Sequence, residues 1–368
     1  MLHSPLLRRT LLTTLLSSVA IAALLMLGGA EVRSEEPPPG IAARKAPQGL
    51  VFLRESGRDA DLWLADPQGQ NPRKLISGVI NFDLRPGGSE LVYMGQHEDF
   101  STSIVVLDLA SGVTRTLVAE QNALSLSPIW SPADGIIAYE RRTISASGGG
   151  APKIFLIATD GTPLGPIIPG AEVITYGAVW SHDGTRLAAI DPIRNGVVIF
   201  NFSSETRLLP VRDVTDIDWS PDGKRLAVSA QTVTNGRPAN RLVLYDLETD
   251  TQTMLTADPQ FSDYMPRWSP DGSQIAFVRR SELHVNGEIW VLPLDADGQA
   301  GPARAITSDP TFDNYDPQWS PDGTRLIWDR RPLGGPTMTP SIWQIAVDDP
   351  AATPQLLIES AMTGRWIK

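Results

Sequence analysis

Along most of the chain, hydrophobic and polar residues alternate over short runs bounded by Gly, Asp and Pro. A period of two describes strands buried on one face, and the bounding residues are those that build turns. The runs fall into sets of four, labelled A to D. Strand A ends in a tryptophan and a tight turn: IWSPADG at Trp130, VWSHDG at Trp180, DWSPDG at Trp219, RWSPDG at Trp268 and QWSPDG at Trp319. In that turn Pro presets φ, Asp accepts a nearby backbone N–H and Gly takes a positive φ. Strand B follows, as in RLAVS at 225–229, with an aromatic or branched residue nine places after the marker: Tyr93, Tyr139, Val228, Phe277 and Trp328. Strand C is a run such as IVVLDL or IWVLPL, and D is a short stretch such as TRTLV.

Two further copies are less obvious. DLRPGGSEL puts Leu84 in the tryptophan register, and the terminal GRWIK puts Trp366 there. Successive markers lie 46, 50, 39, 49, 51 and 47 residues apart. Strand-built repeats of that length predict an all-β fold, a β-propeller. Residues 50–76 supply strands B, C and D with no marker before them, while Trp366 is a marker strand with nothing after it. Joining them predicts a seven-bladed ring closed by the C-terminal strand, with six blades as the alternative if the Leu84 copy is not a blade. Closure would remove an exposed sheet edge.

The N-terminus departs from the pattern. Arg8 and Arg9 precede an apolar run from Thr10 to Ala30, followed by Glu31, Glu35, Glu36 and three prolines. Residues 1–30 therefore read as a signal peptide or an uncleaved apolar anchor helix, residues 31–47 as a Pro-rich linker, and 48–368 as the propeller. Either form of the leader places the propeller outside the cytoplasm, whether periplasmic, secreted or membrane-anchored. The formal net charge of −11 disfavours nucleic acid as a partner. The absence of cysteine excludes disulfides, thiolate metal sites and a cysteine nucleophile.

The repeated WSPDG with its following strands resembles the TolB-type propellers, also described as WD40-like repeats, over about residues 48–368. The resemblance implies the fold. Its members include periplasmic TolB, a scaffold of an envelope complex, the propeller domains of prolyl-oligopeptidase-like peptidases, and some polysaccharide lyases. This chain differs from TolB in having no α/β domain before the repeats and in its predicted seven blades, where TolB has six.

The chemistry is sparse. No G-x-S-x-G occurs, and a serine nucleophile with a nearby histidine cannot be assembled. His182 stands in the Pro place of a turn, and His97 and His284 fall in loops of different repeats. All ten tryptophans sit at repeat positions, which suits packing between blades. The expectation is a non-enzyme without a cofactor.

Strand order puts the SPDG turns on one face and the longer B–C and D–A loops (141–152, 230–240, 279–287, 330–341 among them) on the other. Binding residues concentrate on such loops, and two sets fall there. Tyr176, Tyr264 and Tyr315 each stand four residues before a marker, beside Asp258, Asp263, Asp309, Asp313 and Asp316. The tyrosines would ring the channel entrance, and the acids would either hold a hard cation or simply shape the loops. Arg141, Arg279 and Arg330 stand eleven residues after a marker, and Arg54 fits the same place. They would grip a carboxylate or phosphate, or pair with D–A aspartates of a neighbouring blade. The reading is a monomeric exported scaffold binding an envelope or extracellular protein or peptide at this face, touching membrane only through its N-terminal segment. The alternative is a polysaccharide lyase or hydrolase acting on an acidic sugar, and a third possibility is a structural surface protein.

Overall fold

The computed structural model describes residues 49–367, except 58, 98–100, 146–147, 171–172, 203–205, 235–236, 282–285 and 335–337. The predicted leader and linker, and His284, lie outside the described residues. Every strand pair is antiparallel, and no α-helix occurs among the described residues.

Four sheets have four strands each, in chain order: Tyr176–Trp180 to Thr206–Leu209, Val214–Trp219 to Thr251–Met254, Phe261–Trp268 to Arg304–Ala305, and Phe312–Trp319 to Gln355–Ile358. A fifth runs from Ala123–Trp130 to Pro163–Pro166 and carries the short strand Gly148–Gly149 beside it. The first two repeats share one sheet, because the long strand Arg73–Leu84 pairs with Asp59–Ala65 through its first half and with Glu90–Gln96 through its second. A D strand thus runs into the next A strand without a break, which the turn-like Ser77-Gly78 obscures in the sequence. Leu84 pairs with Leu91, so the degenerate copy is a marker strand. At the other edge of this sheet Met362–Trp366 pairs with Leu50–Ser56, Leu50 opposite Trp366 and Val51 opposite Arg365.

The core lies between repeats as much as within them. Each hydrophobic cluster joins side chains of two successive repeats. One unites Ile190, Val197 and Leu209 with Trp219, Leu226 and Val243, and another unites Ile327 and Ile342 with Leu50, Phe52 and Trp366. The marker tryptophans are the wedges. The indole N–H of Trp219 donates to the carbonyl of Val179 (3.1 Å), that of Trp319 to Arg267 (3.0 Å), and that of Trp180 to Ile129 (3.4 Å). In each case the acceptor is the residue before the preceding repeat's marker. On the outer edge, strand-D arginines reach the next repeat's C–D turn: Arg73 to the Leu109 carbonyl, Arg207 to Leu247, and Arg304 to Val347.

The tight turns take the form expected of them. Ser220 Oγ accepts the amide of Arg225 at 2.9 Å and donates to Asp222, which accepts the amide of Lys224 at 3.0 Å, with Gly223 at φ 68°. Ser269 with Asp271 and Ser320 with Asp322 repeat the arrangement.

One expected loop is not a loop. Arg225–Thr234 and Arg237–Asp246 pair along their whole length, down to Thr234 opposite Arg237, so the described residues of the segment 230–240 are paired strands extending from the sheet. The Asn-Gly within it is a strong hairpin signal that its polar composition masked.

Candidate functional site

Inside the ring of marker strands lies a cavity of about 630 Å³ to which all seven repeats contribute. In a strand, neighbouring side chains point to opposite faces. The marker tryptophan turns toward the preceding repeat, so the residue before it turns inward. That position holds Asp83, Ile129, Val179, Asp218, Arg267, Gln318 and Arg365, and all seven line the cavity. Turn prolines Pro86, Pro132, Pro270 and Pro321 form the rim, with His182 taking the proline's place in its own repeat. The cavity therefore sits at the SPDG end of the channel, opposite the loop face to which the sequence pointed.

A backbone feature prepares this wall. Three residues before the marker, Ser127, Gly177, Met265, Asp316 and Thr363 all have positive φ, between 48° and 61°. Pairing to strand B shifts register just there in the repeats of Trp130, Trp180, Trp268 and Trp319. Such a bulge turns the strand and re-aims what precedes it. A positive φ is costly for side-chain-bearing residues, and only one of the five is glycine, so the bulge is invisible in composition.

The cavity charges are held from behind. Asp83 accepts the backbone amide of Trp130, and Asp218 that of Trp268, each at 2.7 Å. Burial raises the Asp218 carboxyl above its ordinary value despite the opposing Arg267, Trp268 amide and His182. Arg85 pairs with Glu90 at 2.5 Å and with Asp134. Arg365 pairs with Asp316 at 2.9 Å, and Gln318 donates to the other oxygen of that carboxylate at 2.9 Å. Burial would raise Asp316, but Arg365 and Arg267 more than offset this and hold it low.

Asp329 lies behind this group, 3% exposed. It accepts the amide of Thr363 at 2.8 and 3.0 Å, and burial followed by the Asp316 charge pushes its carboxyl up to about 8. The folded state therefore binds a proton that the unfolded chain has released above pH ~4. Stability tied to this group is fully present below that pH and is lost as pH rises to about 8. Asn at this position accepts the same amide without a charge. Asp329→Asn is expected to change the urea midpoint little at pH 4 and to raise it relative to the parent increasingly toward pH 9. A constant difference across that range would show that Asp329 is ionised throughout.

The residues singled out from sequence are placed differently. Arg279 is 8% exposed and bidentate to Asp263, with contacts of 2.7 and 2.9 Å, and stacks over Phe261, Phe277 and Trp290. Arg330 packs over Phe312 and Trp343 and pairs with Asp309 at 3.1 Å. Arg141 is bidentate to Glu120 and lies over Phe155, and Arg54 lies over Phe52 and Trp63. These guanidinium groups are built into their own sheets, and the carboxylate partners of Arg141, Arg279 and Arg330 belong to the same repeat, not to a neighbour as expected. Strand register places them: Asp263 lies directly opposite Arg279.

The tyrosines do not line the cavity. Tyr176 and Tyr264 pack against inter-repeat clusters, and Tyr315 faces Arg331, its hydroxyl pKa raised by burial. Asp258 and Asp309 accept amides two residues on, at 3.0 Å each, as loop-shaping residues do. Asp313 takes the Gly287 amide, Arg280 and Arg331. Among the described residues no group of three or more His, Asp or Glu is placed to hold a metal ion. Of the nine residues proposed from sequence to bind, Asp316 contacts the cavity wall, through Arg365 and Gln318. The inward ring had one signal: within DWSPDG, RWSPDG, QWSPDG and VWSHDG, the residue before the tryptophan varies while its surroundings repeat.

Ring-forming antiparallel sheets around a central cavity define a β-propeller, and the repeats make it TolB-like. A family model for the dipeptidyl peptidase IV N-terminal region matches residues 220–330. The uncharacterized peptidase YuxL of Bacillus subtilis is 29% identical over 116 residues, 31% of this chain and 17% of its own length. Dipeptidyl-peptidase 5 of Trichophyton equinum is 30% identical over 142 residues, 38% of this chain and 18% of its own. The matched segments thus span under a fifth of these relatives.

Among solved structures, TolB of Acinetobacter baumannii aligns with TM-score 0.52 at 16% identity, covering 86% of this chain and 82% of its own. The propeller domain of the trilobed protease of Pyrococcus furiosus aligns with TM-score 0.62 at 11% identity, covering 86% and 94%. That domain has an open velcro topology, whereas here the last strand pairs with the first. Oligogalacturonate lyase of Vibrio parahaemolyticus aligns with TM-score 0.58 at 13% identity, covering 85% and 86%. These likenesses establish the fold. They also correct the expectation of a non-enzyme: proteins named as peptidases share sequence with this chain, and a lyase shares its fold. Lack of one serine-nucleophile motif does not decide against activity.

Proposed function

We propose that the chain is a seven-bladed propeller, exported by its first 30 residues, that holds a segment of an envelope or extracellular protein in its central cavity. The observation that carries this reading is the inward ring, in which one position per repeat converges on a shared space and mixes acidic, basic, amide and aliphatic side chains. Its members vary where the scaffold around them repeats, as expected of a recognition surface on a rigid frame. The seven inter-repeat clusters support the blade count. The composition of residues 8–30 supports export. The arginines on the cavity wall and the lyase-like fold favour one second reading, that the cavity holds an acidic polymer and cleaves it.

A photo-crosslinking residue at position 179, in full-length protein expressed in cells, tests the first reading. The expected adduct is a protein segment that disappears when Gln318→Trp fills the cavity and is not formed from a crosslinker at the exposed position 254. Equal adducts from both positions would overturn it. Release of shortened products from oligogalacturonate by the purified chain would instead favour the second.

A further inference from the structure

Three guanidinium groups line the cavity, and their surroundings differ. Arg85 is committed to Glu90 and Asp134, and Arg365 to Asp316. Arg267 donates to the carbonyl of Pro266 at 2.8 Å and, among the described residues, forms no ion pair. The nearest acids are engaged elsewhere: Asp218 with the amide of Trp268, and Asp316 with Arg365 and Gln318. A guanidinium has five N–H donors and cannot shed its charge at any ordinary pH. Arg267 thus brings unspent N–H donors and a fixed positive charge, felt by Asp218 and Asp316 through space but in direct contact with neither, into a half-enclosed space whose other guanidinium groups are directly paired.

Resting on the reading that the cavity holds a protein segment, we propose that Arg267 is its anchor and receives a carboxylate of an acidic peptide. The planar fork of Arg matches the two oxygens of a carboxylate, and such paired, charge-assisted bonds are the stronger kind. A singly charged group suits the site, since Asp83 and Asp218 share the wall and would repel a doubly charged phosphate more strongly. The rim favours a peptide over a sugar. Four turn prolines line it, with His182 and Ser320 among them, offering mostly apolar contact for side chains and backbone of an extended chain and few donors for a row of hydroxyls.

The test is calorimetric titration of the full-length protein with hexaglutamate, hexaglutamine and trigalacturonate at low ionic strength. Hexaglutamate is expected to bind and hexaglutamine not. Arg267→Gln, which can keep the bond to the Pro266 carbonyl, should weaken hexaglutamate by at least ~10-fold. Arg267→Lys should restore part of the loss, and Arg212→Gln, at an exposed position away from the cavity lining, should change nothing. Unchanged thermal melting of Arg267→Gln verifies that the fold is intact.

If hexaglutamate binds parent and Arg267→Gln alike but is blocked by Gln318→Trp, the anchor is wrong and the cavity reading survives. If Gln318→Trp has no effect, or no acidic probe binds, both fail. Tighter binding of trigalacturonate than of hexaglutamate overturns the peptide in favour of an acidic sugar.

Discussion

Replacing Arg279 by alanine is expected to destabilise the propeller by about 3–5 kcal/mol, the usual consequence of removing one partner of a buried ion pair. The side chain is 8% exposed and Asp263 opposite it 1%, so the substitution leaves a carboxylate without its countercharge in a place water does not reach. Three aromatic rings also lose the guanidinium that lies 4.6 to 5.2 Å from their centroids. Lysine should rescue little, because it can neither form the fork nor stack as a plane. The double variant Arg279→Leu with Asp263→Leu should recover much of the loss, since a buried pair replaced by apolar groups is often neutral. Urea midpoints of the four proteins would check this. A loss below about 1 kcal/mol for Arg279→Ala would mean that the pair behaves as a solvated surface contact.

A still larger effect is expected from deleting residues 362–368. The strand Met362–Trp366 covers the edge of Leu50–Ser56, whose first four residues are almost wholly buried. Its loss removes Trp366 from the cluster of Leu50, Phe52 and Ile327. That alone is worth about 3–5 kcal/mol by analogy with large-to-small core substitutions. It also removes the Arg365–Asp316 pair and the Thr363 amide on Asp329. The edge so exposed is hydrophobic and unpaired, the kind that templates aggregation. The truncated chain should elute as oligomers in size-exclusion chromatography and lose its cooperative melt. A monomer with the parent's melting temperature would show that the ring does not depend on this closure.

Much of the architecture was legible because its causes are local. The SPDG turn needs only four adjacent residues, and in the repeats of Trp219, Trp268 and Trp319 it forms with the same Ser–Asp hydrogen bond. Strand alternation is likewise read within a few residues. Legibility failed where a neighbour decides. The Ser77-Gly78 pair reads as a turn, yet the adjoining strands carry Arg73–Leu84 through as one element. The sequence left Arg279 and Arg330 either to grip a ligand or to pair with an aspartate of a neighbouring blade, because nothing in the linear order says that the aspartate will come from the same sheet, with aromatic rings beneath. Function was read from the absence of a motif, and relatives named as peptidases correct that inference.

By itself, then, the sequence determined the repeat, its turn, its strands and the meeting of the chain's two ends, since each is set by contacts among residues close in the chain or by a pattern that recurs. The tertiary structure alone decided the site. The cavity wall takes one residue from each repeat, from Asp83 to Arg365, brought together only when the ring closes. Whether Arg267 or Arg365 keeps donors to offer depends on which is in direct contact with an aspartate, and that is a property of distances across the channel.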